Sequence, residues 1–208
     1  MSYSRDNPSP NYRRMVDLYR ELHNQGEHRL GQPPAATFPG VSLFPHIGRV
    51  KALIERTGAR TVLDYGCGKG YQYEPQKISV PGEGEWEGVI EYWDIDEVRC
   101  YDPAYDCYSQ LPQGKFDGVI STDVLEHCLE DDVPWIVDEM FSYANRFVFA
   151  CVACFPALAT LPNGENAHCT VRPFSWWREI FAAAGNDHPQ ILWELFEAQR
   201  EHHEHGSS

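Results

Sequence analysis

Apolar residues recur along the chain at two spacings, one typical of amphipathic helices and the other of buried strands. Helical spacing predicts helices at 11–23, 42–57, 134–143 and 174–184, the last closed by Gly185. Short apolar runs predict strands at 61–64, 98–102, 116–121 and 146–154, and a last amphipathic segment lies at 191–200. Because strands and helices alternate, the pattern predicts an α/β fold with a doubly wound sheet.

Length and composition favour a single domain, residues 1–208, with a core of its own. The longest apolar runs, such as 147–155, are far shorter than a membrane span, and the polar N-terminus is unlike a secretory signal. Seven cysteines, an odd number in unrelated contexts, favour reduced thiols and a cytoplasmic protein. A formal net charge of −14 disfavours a nucleic-acid partner, because binding to phosphates needs clustered basic residues.

A predicted strand passes into a glycine-rich turn within 61–70. Asp64 ends the strand, and Gly66, Gly68 and Gly70 follow at two-residue intervals. Glycines at this place let the backbone approach a ligand closely, as in nucleotide-binding loops. The spacing differs from the dinucleotide fingerprint, and no Ser or Thr follows the loop's lysine as a Walker A loop requires. The loop alone is a weak signal for a nucleotide-like ligand, and it argues against NAD and ATP.

A second acidic residue is expected after the next parallel strand, where a carboxylate can hold the two hydroxyls of a ribose. Asp102 fits this position, because it ends a predicted strand and is followed by Pro103. Asp94 and Asp96 are alternatives, and Asp102 is preferred because the strand before it is better formed. An aspartate before proline is also common in turns, so the assignment depends on the glycine loop upstream.

The third segment, 116–127, is a predicted strand that ends at Thr122 and Asp123 and continues into Leu125-Glu126-His127. It is close to the "fDxVixxdVLEH" segment of small-molecule class I methyltransferases. Together with the glycine loop and Asp102, it makes 60–200 resemble the class I S-adenosylmethionine (SAM) dependent methyltransferases.

The resemblance implies a Rossmann-like fold with a mostly parallel sheet of about six to seven strands, helices on both faces and an antiparallel final strand. It implies SAM as the cofactor, with the glycine loop lining its methionine moiety and the acid after the second strand holding its ribose. The implied cofactor-binding residues are Asp64, Gly66, Cys67, Gly68, Gly70, Asp102, Pro103, Thr122 and Asp123.

The chain also departs from this family. The interval between Asp102 and Asp117 is too short for the helix, strand and connection that normally fill it, so one strand region is expected to be truncated. An insertion at about 75–97, rich in Gly, Glu and Trp, is expected to form a surface loop or a hairpin containing 89–93, and to fill that edge of the sheet.

Candidate catalytic residues are His168, in the polar loop 161–169, and His127, from its place in the family segment. A structural hydrogen bond is the alternative role for each histidine. Candidate substrate-binding residues are Asn166, Tyr19 and Trp177, with packing in the core as the alternative for the two aromatic side chains.

No metal site is expected. Cys151 and Cys154, with His168 and Cys169 downstream, could suggest zinc. However, the first two lie in a predicted buried strand at a spacing that places them on opposite faces, whereas zinc-binding pairs normally occupy tight turns. Buried free thiols are the favoured interpretation.

The resemblance therefore implies an enzyme: a methyltransferase domain with an N-terminal helical cap at 11–57, moving a methyl group from SAM to an O, N or S atom of a small-molecule acceptor. The alternatives are a SAM-binding partner subunit without catalysis and a methyltransferase acting on protein side chains.

Overall fold

A computed structural model describes residues 3–199. Its helices are α1 (Tyr12–Gln25), α2 (Ile47–Thr57), α3 (Val89–Trp93), α4 (Val133–Tyr143) and α5 (Phe174–Asp187). Its strands are β1 (Thr61–Tyr65), β2 (Ile78–Val80), β3 (Gly84–Trp86), β4 (Glu97–Tyr101), β5 (Phe116–Thr122), β6 (Ala144–Val152) and β7 (Leu192–Glu197). Short 3-10 turns include Tyr71–Tyr73, Asp106–Tyr108 and Leu125–His127. Arg200, the last residue of the predicted segment 191–200, lies outside the described residues.

Five strands form one sheet in the order β4-β1-β5-β6-β7, and every neighbouring pair is parallel. This confirms the predicted α/β, doubly wound, Rossmann-like architecture. Two implied details are wrong: the sheet has five strands rather than six to seven, and its final strand is parallel. The direction of β7 follows from α5, which crosses back over the sheet and returns the chain to the starting edge.

Apolar side chains fill both faces of this sheet. On one face, α4 and α5 pack against the strands through residues such as Ile136, Phe141 and Phe181. On the other face, α2 and α3 pack through residues such as Val50 and Trp93. The predicted cap at 11–57 is therefore only partly a cap, because α2 belongs to the sheet's own helical layer. Helix α1 lies elsewhere.

Helix α1 packs over the loops that leave the carboxyl ends of the strands. Its buried Tyr19 and Leu22 share an apolar cluster with Ala104, which follows β4, and with Ala167 of the loop after β6. We use the name cap for α1 and the segment 30–46 that follows it. Within 3–199, no helix is long and apolar enough to cross a membrane.

The insertion folds partly as predicted. Strands β2 and β3 form an antiparallel hairpin, but it is a separate two-stranded sheet and does not extend the central one. The stretch 89–93 is helix α3 instead of part of the hairpin. The expected loss of a strand after Asp102 is confirmed, since 102–115 contains only a 3-10 turn.

Helix α5 continues past its predicted end. Gly185 lies inside the helix instead of closing it, and the helix ends at Asp187. A Cβ atom at Gly185 would lie 2.4 Å from Nε1 of Trp193, so the glycine lets β7 pack closely against α5. That contact is invisible in the local sequence, which explains the error.

Candidate functional site

Ligands of open parallel sheets bind outside the carboxyl ends of the strands, where the strand order reverses. Here the chain goes from β1 outwards to β4 and then returns past β1 to β5, so the reversal falls at β1. The glycine loop follows β1, Asp102 follows β4 and Asp123 follows β5. The structure therefore brings the three predicted segments to one place.

The glycine loop is held by its neighbour β4. Gly66, Gly68 and Gly70 have φ angles of 88°, 59° and 72°, in the left-handed region that favours glycine. The backbone N–H groups of Gly66 and Cys67 both donate to the carbonyl of Tyr101, at 2.7 and 3.1 Å. These bonds bend the chain sharply away from the end of β1.

Asp102 lies directly against this loop. Its Oδ2 accepts a hydrogen bond from the backbone N–H of Gly68 at 3.0 Å, and its Oδ1 accepts one from that of Ala104 at 2.8 Å. Burial raises the pKa of Asp102 to about 6, although these hydrogen bonds act in the opposite direction. Pro103, the next predicted contact, accepts a bond from Arg20 through its carbonyl.

The two alternatives to Asp102 lie at the opposite end of β4. Asp94 ends α3, and Asp96 immediately precedes the strand. Both carboxylates pair with Arg60 on the protein surface. The acid at the carboxyl end is therefore Asp102.

Asp64 faces inwards beneath the glycine loop and is 2 % exposed. Its Oδ2 accepts hydrogen bonds from Nε2 of Gln72 at 2.9 Å and from the hydroxyl of Tyr73 at 2.8 Å. Burial raises its pKa to about 6. Asp64 thus anchors the turn that follows the loop, a supporting role that the sequence did not separate from direct contact with a ligand.

The cap covers the glycine loop through residues that sequence reasoning missed. The carbonyl of Phe38 accepts a hydrogen bond from the backbone N–H of Lys69 at 2.9 Å, and a Cβ atom at Gly68 would lie 2.3 Å from the same oxygen. The buried Nζ of Lys69 donates to the carbonyl of Thr37 and to Nδ1 of His23, both at 3.0 Å. Burial and, secondarily, Lys69 lower the pKa of His23 to about 3.

The end of β5 is more open. Thr122 is buried, and its carbonyl accepts a hydrogen bond from Ser42 at 3.1 Å. Asp123 is exposed and has a φ angle of 62°, a conformation that costs a residue other than glycine about 1 kcal/mol. Its backbone N–H donates to the carbonyl of Cys151 at 3.0 Å, which ties the turn to β6.

The structure brings both candidate catalytic histidines together beneath the cap. The rings of His127 and His168 meet edge to face, with centroids 4.9 Å apart. Nδ1 of His127 lies 2.8 Å from the carbonyl of Ala167, and Nδ1 of His168 lies 2.5 Å from that of Phe155. A carbonyl oxygen only accepts, so each Nδ1 donates to it, and in the neutral ring the lone pair is on Nε2. Burial lowers the pKa of His127 to about 4, so this ring is neutral at physiological pH.

The three candidate substrate-binding residues have different surroundings in the structure. The hydroxyl of Tyr19 donates to the carbonyl of Ala167 and lies 3.2 Å from Nδ1 of His127, so Tyr19 belongs to the site. Asn166 exchanges two hydrogen bonds with the backbone of Ala157 and shapes its own loop. Trp177 is fully buried in the core, which is the alternative role given for this aromatic side chain.

A group of three side chains at this end of β5 was not suggested by the sequence as a site. One ligand atom each from Asp123, Glu126 and His168 lies within 4.8 Å of the others. Glu126 was visible in the family segment, but no property of the local sequence reveals that it is buried. Burial, and then Asp123, raise its pKa well above the ordinary value.

Comparisons of this chain with protein-family models, with curated proteins and with solved structures find no match. The function therefore has to be argued from the residues at the carboxyl edge.

Proposed function

We propose that the protein is a SAM-dependent methyltransferase that moves a methyl group to an O, N or S atom of a small-molecule acceptor. The observation that carries the proposal is the 3.0 Å hydrogen bond between Gly68 and Asp102. It places an acidic side chain against a glycine loop at the point where the strand order reverses. A ligand with a ribose needs this combination, because its hydroxyls pair with a carboxylate while a glycine loop allows close approach.

The residues present fit such a ligand by their chemistry. The glycine loop would hold the amino-acid end of SAM, and Asp102 the ribose. When bound, SAM supplies a methyl group already activated by a sulfonium. In the structure, the backbone of Phe38 occupies the space next to Gly68 that a closely bound ligand would need. Binding at this loop would therefore require the cap to move away from Gly68.

The acceptor would lie on the β5 side of the edge, beneath the cap. His127 and His168 present Nε2 lone pairs there, since each Nδ1 is engaged by a backbone carbonyl. Either ring could take a proton from an acceptor hydroxyl or ammonium group, and His127 alone could do so when Nε2 of His168 holds a ligand. Tyr19 holds the loop that carries His168 through its hydrogen bond to Ala167, so it positions these rings.

Calorimetric titration of the 208-residue chain with SAM and with S-adenosylhomocysteine tests the proposal. We expect saturable binding that falls at least about tenfold in Asp102→Ala, because the ribose hydroxyls lose their acceptor. Asp94→Ala is the matched control, since this aspartate lies at the far end of β4 and should leave binding unchanged. No binding of either ligand to the unaltered protein would overturn the proposal, whether or not Asp102→Ala folds. Binding without turnover over a broad panel of acceptors would instead favour a non-catalytic partner subunit.

A further inference from the structure

Three potential ligands for a cation converge where β5 ends. Asp123 is the first residue after the strand, and Glu126 follows in the 3-10 turn Leu125–His127. His168 comes from the loop after β6. Their ligand atoms lie within 4.8 Å of one another, whereas the ligands of a tetrahedral ion at about 2.1 Å are about 3.4 Å apart. A contraction of at most about 1.4 Å would bring all three into coordination distance.

Glu126 contributes a buried oxygen that has no hydrogen-bond partner among residues 3–199. Glu126 is 0 % exposed, and its Oε1 accepts a hydrogen bond from the backbone N–H of Ala153 at 2.7 Å. Its Oε2 is buried and, within residues 3–199, has no hydrogen-bond partner. A buried carboxylate oxygen is costly when unpaired, so such an atom indicates a missing partner such as a water or an ion.

The histidine is oriented as metal-binding histidines usually are. Nδ1 of His168 faces the carbonyl of Phe155 at 2.5 Å, which fixes the proton on that nitrogen. Nε2 is then the nitrogen with a lone pair. A backbone carbonyl behind the ring is a common second contact of metal ligands, because it sets the tautomer and the ring direction.

Within residues 3–199, the two carboxylates, Asp123 and Glu126, have no lysine or arginine partner. The alternative explanation is a proton on Glu126, shared with Asp123. Such a pair would satisfy Oε2 without an ion, and the experiment below separates the two cases.

We propose that Asp123, Glu126 and His168 form a binding site for a divalent transition-metal ion, of which Zn²⁺ and Mn²⁺ are the representative probes. One imidazole and two carboxylates favour such ions over Mg²⁺, which prefers oxygen ligands alone. Three protein ligands leave coordination positions for small ligands, and the exposed Asp123 makes the ion accessible from solvent. A hydroxyl oxygen can occupy such a free coordination position. If the protein is the methyltransferase proposed above, on which this step rests, the favoured acceptor is therefore a hydroxylated small molecule.

Metal binding is measured on the 208-residue chain after treatment with EDTA and desalting. Titration calorimetry with ZnCl2, MnCl2 and MgCl2 is expected to show one equivalent of Zn²⁺ or Mn²⁺ and weaker binding of Mg²⁺. Glu126→Gln and His168→Asn should each weaken binding at least about tenfold. Glu130→Gln and His28→Asn are matched controls, since Glu130 pairs with Arg172 on the surface and His28 is exposed. Both should bind as the unaltered protein does.

Asp123→Asn keeps the test decisive where Glu126→Gln fails to fold, because Asp123 is exposed and its replacement disturbs the core less. Absence of saturable binding to the unaltered protein would overturn the metal site. So would binding in the three site variants that is as strong as in the unaltered protein. A Glu126→Gln variant at least as stable as the unaltered protein, without metal binding in either, would assign the proton pair instead. SAM binding is measured separately in EDTA, so failure of the methyltransferase proposal remains distinguishable from failure of this one.

Discussion

The two halves of the carboxyl edge differ in how their charged groups are partnered. In the glycine-loop half, which comprises Asp64, Lys69 and Asp102, each charged side chain has hydrogen-bond partners within the chain. In the β5–β6 half, Asp123 is exposed, and one buried oxygen of Glu126 has no hydrogen-bond partner in the part of the chain that the structure describes. The first half is closed over by the cap, and the second retains groups free to bind a ligand.

The difference shows that one part of the edge can be covered by the cap while the neighbouring part keeps groups that can bind a ligand. A ligand of the glycine loop has to replace contacts that the cap already makes, so part of its binding energy is spent on moving the cap. A ligand of the β5–β6 half satisfies a group that lacks a partner. We therefore expect ligands of the two halves to affect the cap differently. A ligand of the glycine-loop half displaces the cap, and a ligand of the β5–β6 half leaves it in place.

The largest expected effect tests whether the cap lies on the loop. Gly68→Ala places a Cβ atom 2.3 Å from the carbonyl oxygen of Phe38, at a φ angle of 59°. Gly31→Ala imposes a similar φ angle of 66° in open space, so it is the matched control. We expect a loss in free energy of unfolding of about 1 kcal/mol for the control and about 3 kcal/mol for Gly68→Ala, from urea unfolding at pH 7. Equal losses would show that the cap does not rest on Gly68 in solution.

The next prediction concerns the charge buried under the loop. Burial raises the pKa of Asp64 to about 6 from 3.8, so the folded state holds this proton more tightly than the unfolded chain does. The resulting stabilisation is present below about pH 4 and is lost as the pH rises to about 6. Asp64→Asn does not titrate. We expect the variant to gain up to about 3 kcal/mol on the unaltered protein between pH 4 and pH 6.5 in urea unfolding.

Asp96→Asn provides a control of opposite sign. The hydrogen bond from Arg60 lowers the pKa of Asp96, so its stabilisation is present at neutral pH and is lost as the pH falls. A pH-independent difference for Asp64→Asn would contradict the buried placement of this carboxylate.

These results also show which parts of the molecule the sequence could predict. Strands β1, β5 and β6 each contain a short apolar run, and their burial on both faces of a parallel sheet makes these runs visible in the local sequence. The acid after β4 was predicted because the strand and its proline mark the position. Local pattern was enough wherever one segment determines its own environment.

Long-range contacts account for what was missed. Lys69 finds its partners in His23 and Thr37, which reach it only because the cap folds across the loop. Glu126 is buried against Ala153, which follows β6, and against the loop carrying His168, and neither is near it in sequence. Side chains whose surroundings come from distant segments carry no local signal.

The smallest expected effect tests Lys69 as the link between the loop and the cap. Lys69→Met keeps an apolar stem of similar length but removes the donor to His23 and Thr37, which would leave buried acceptors unpaired. We expect a loss of about 2 kcal/mol in free energy of unfolding, because the unpaired acceptors outweigh the relief of removing a buried charge. Hydrogen exchange at 35–38 should also become faster. Lys77→Met, at an exposed position, should change stability by less than about 0.5 kcal/mol. A Lys69→Met variant as stable as the unaltered protein, with unchanged exchange in the cap, would mean that apolar packing alone holds the glycine-loop half closed.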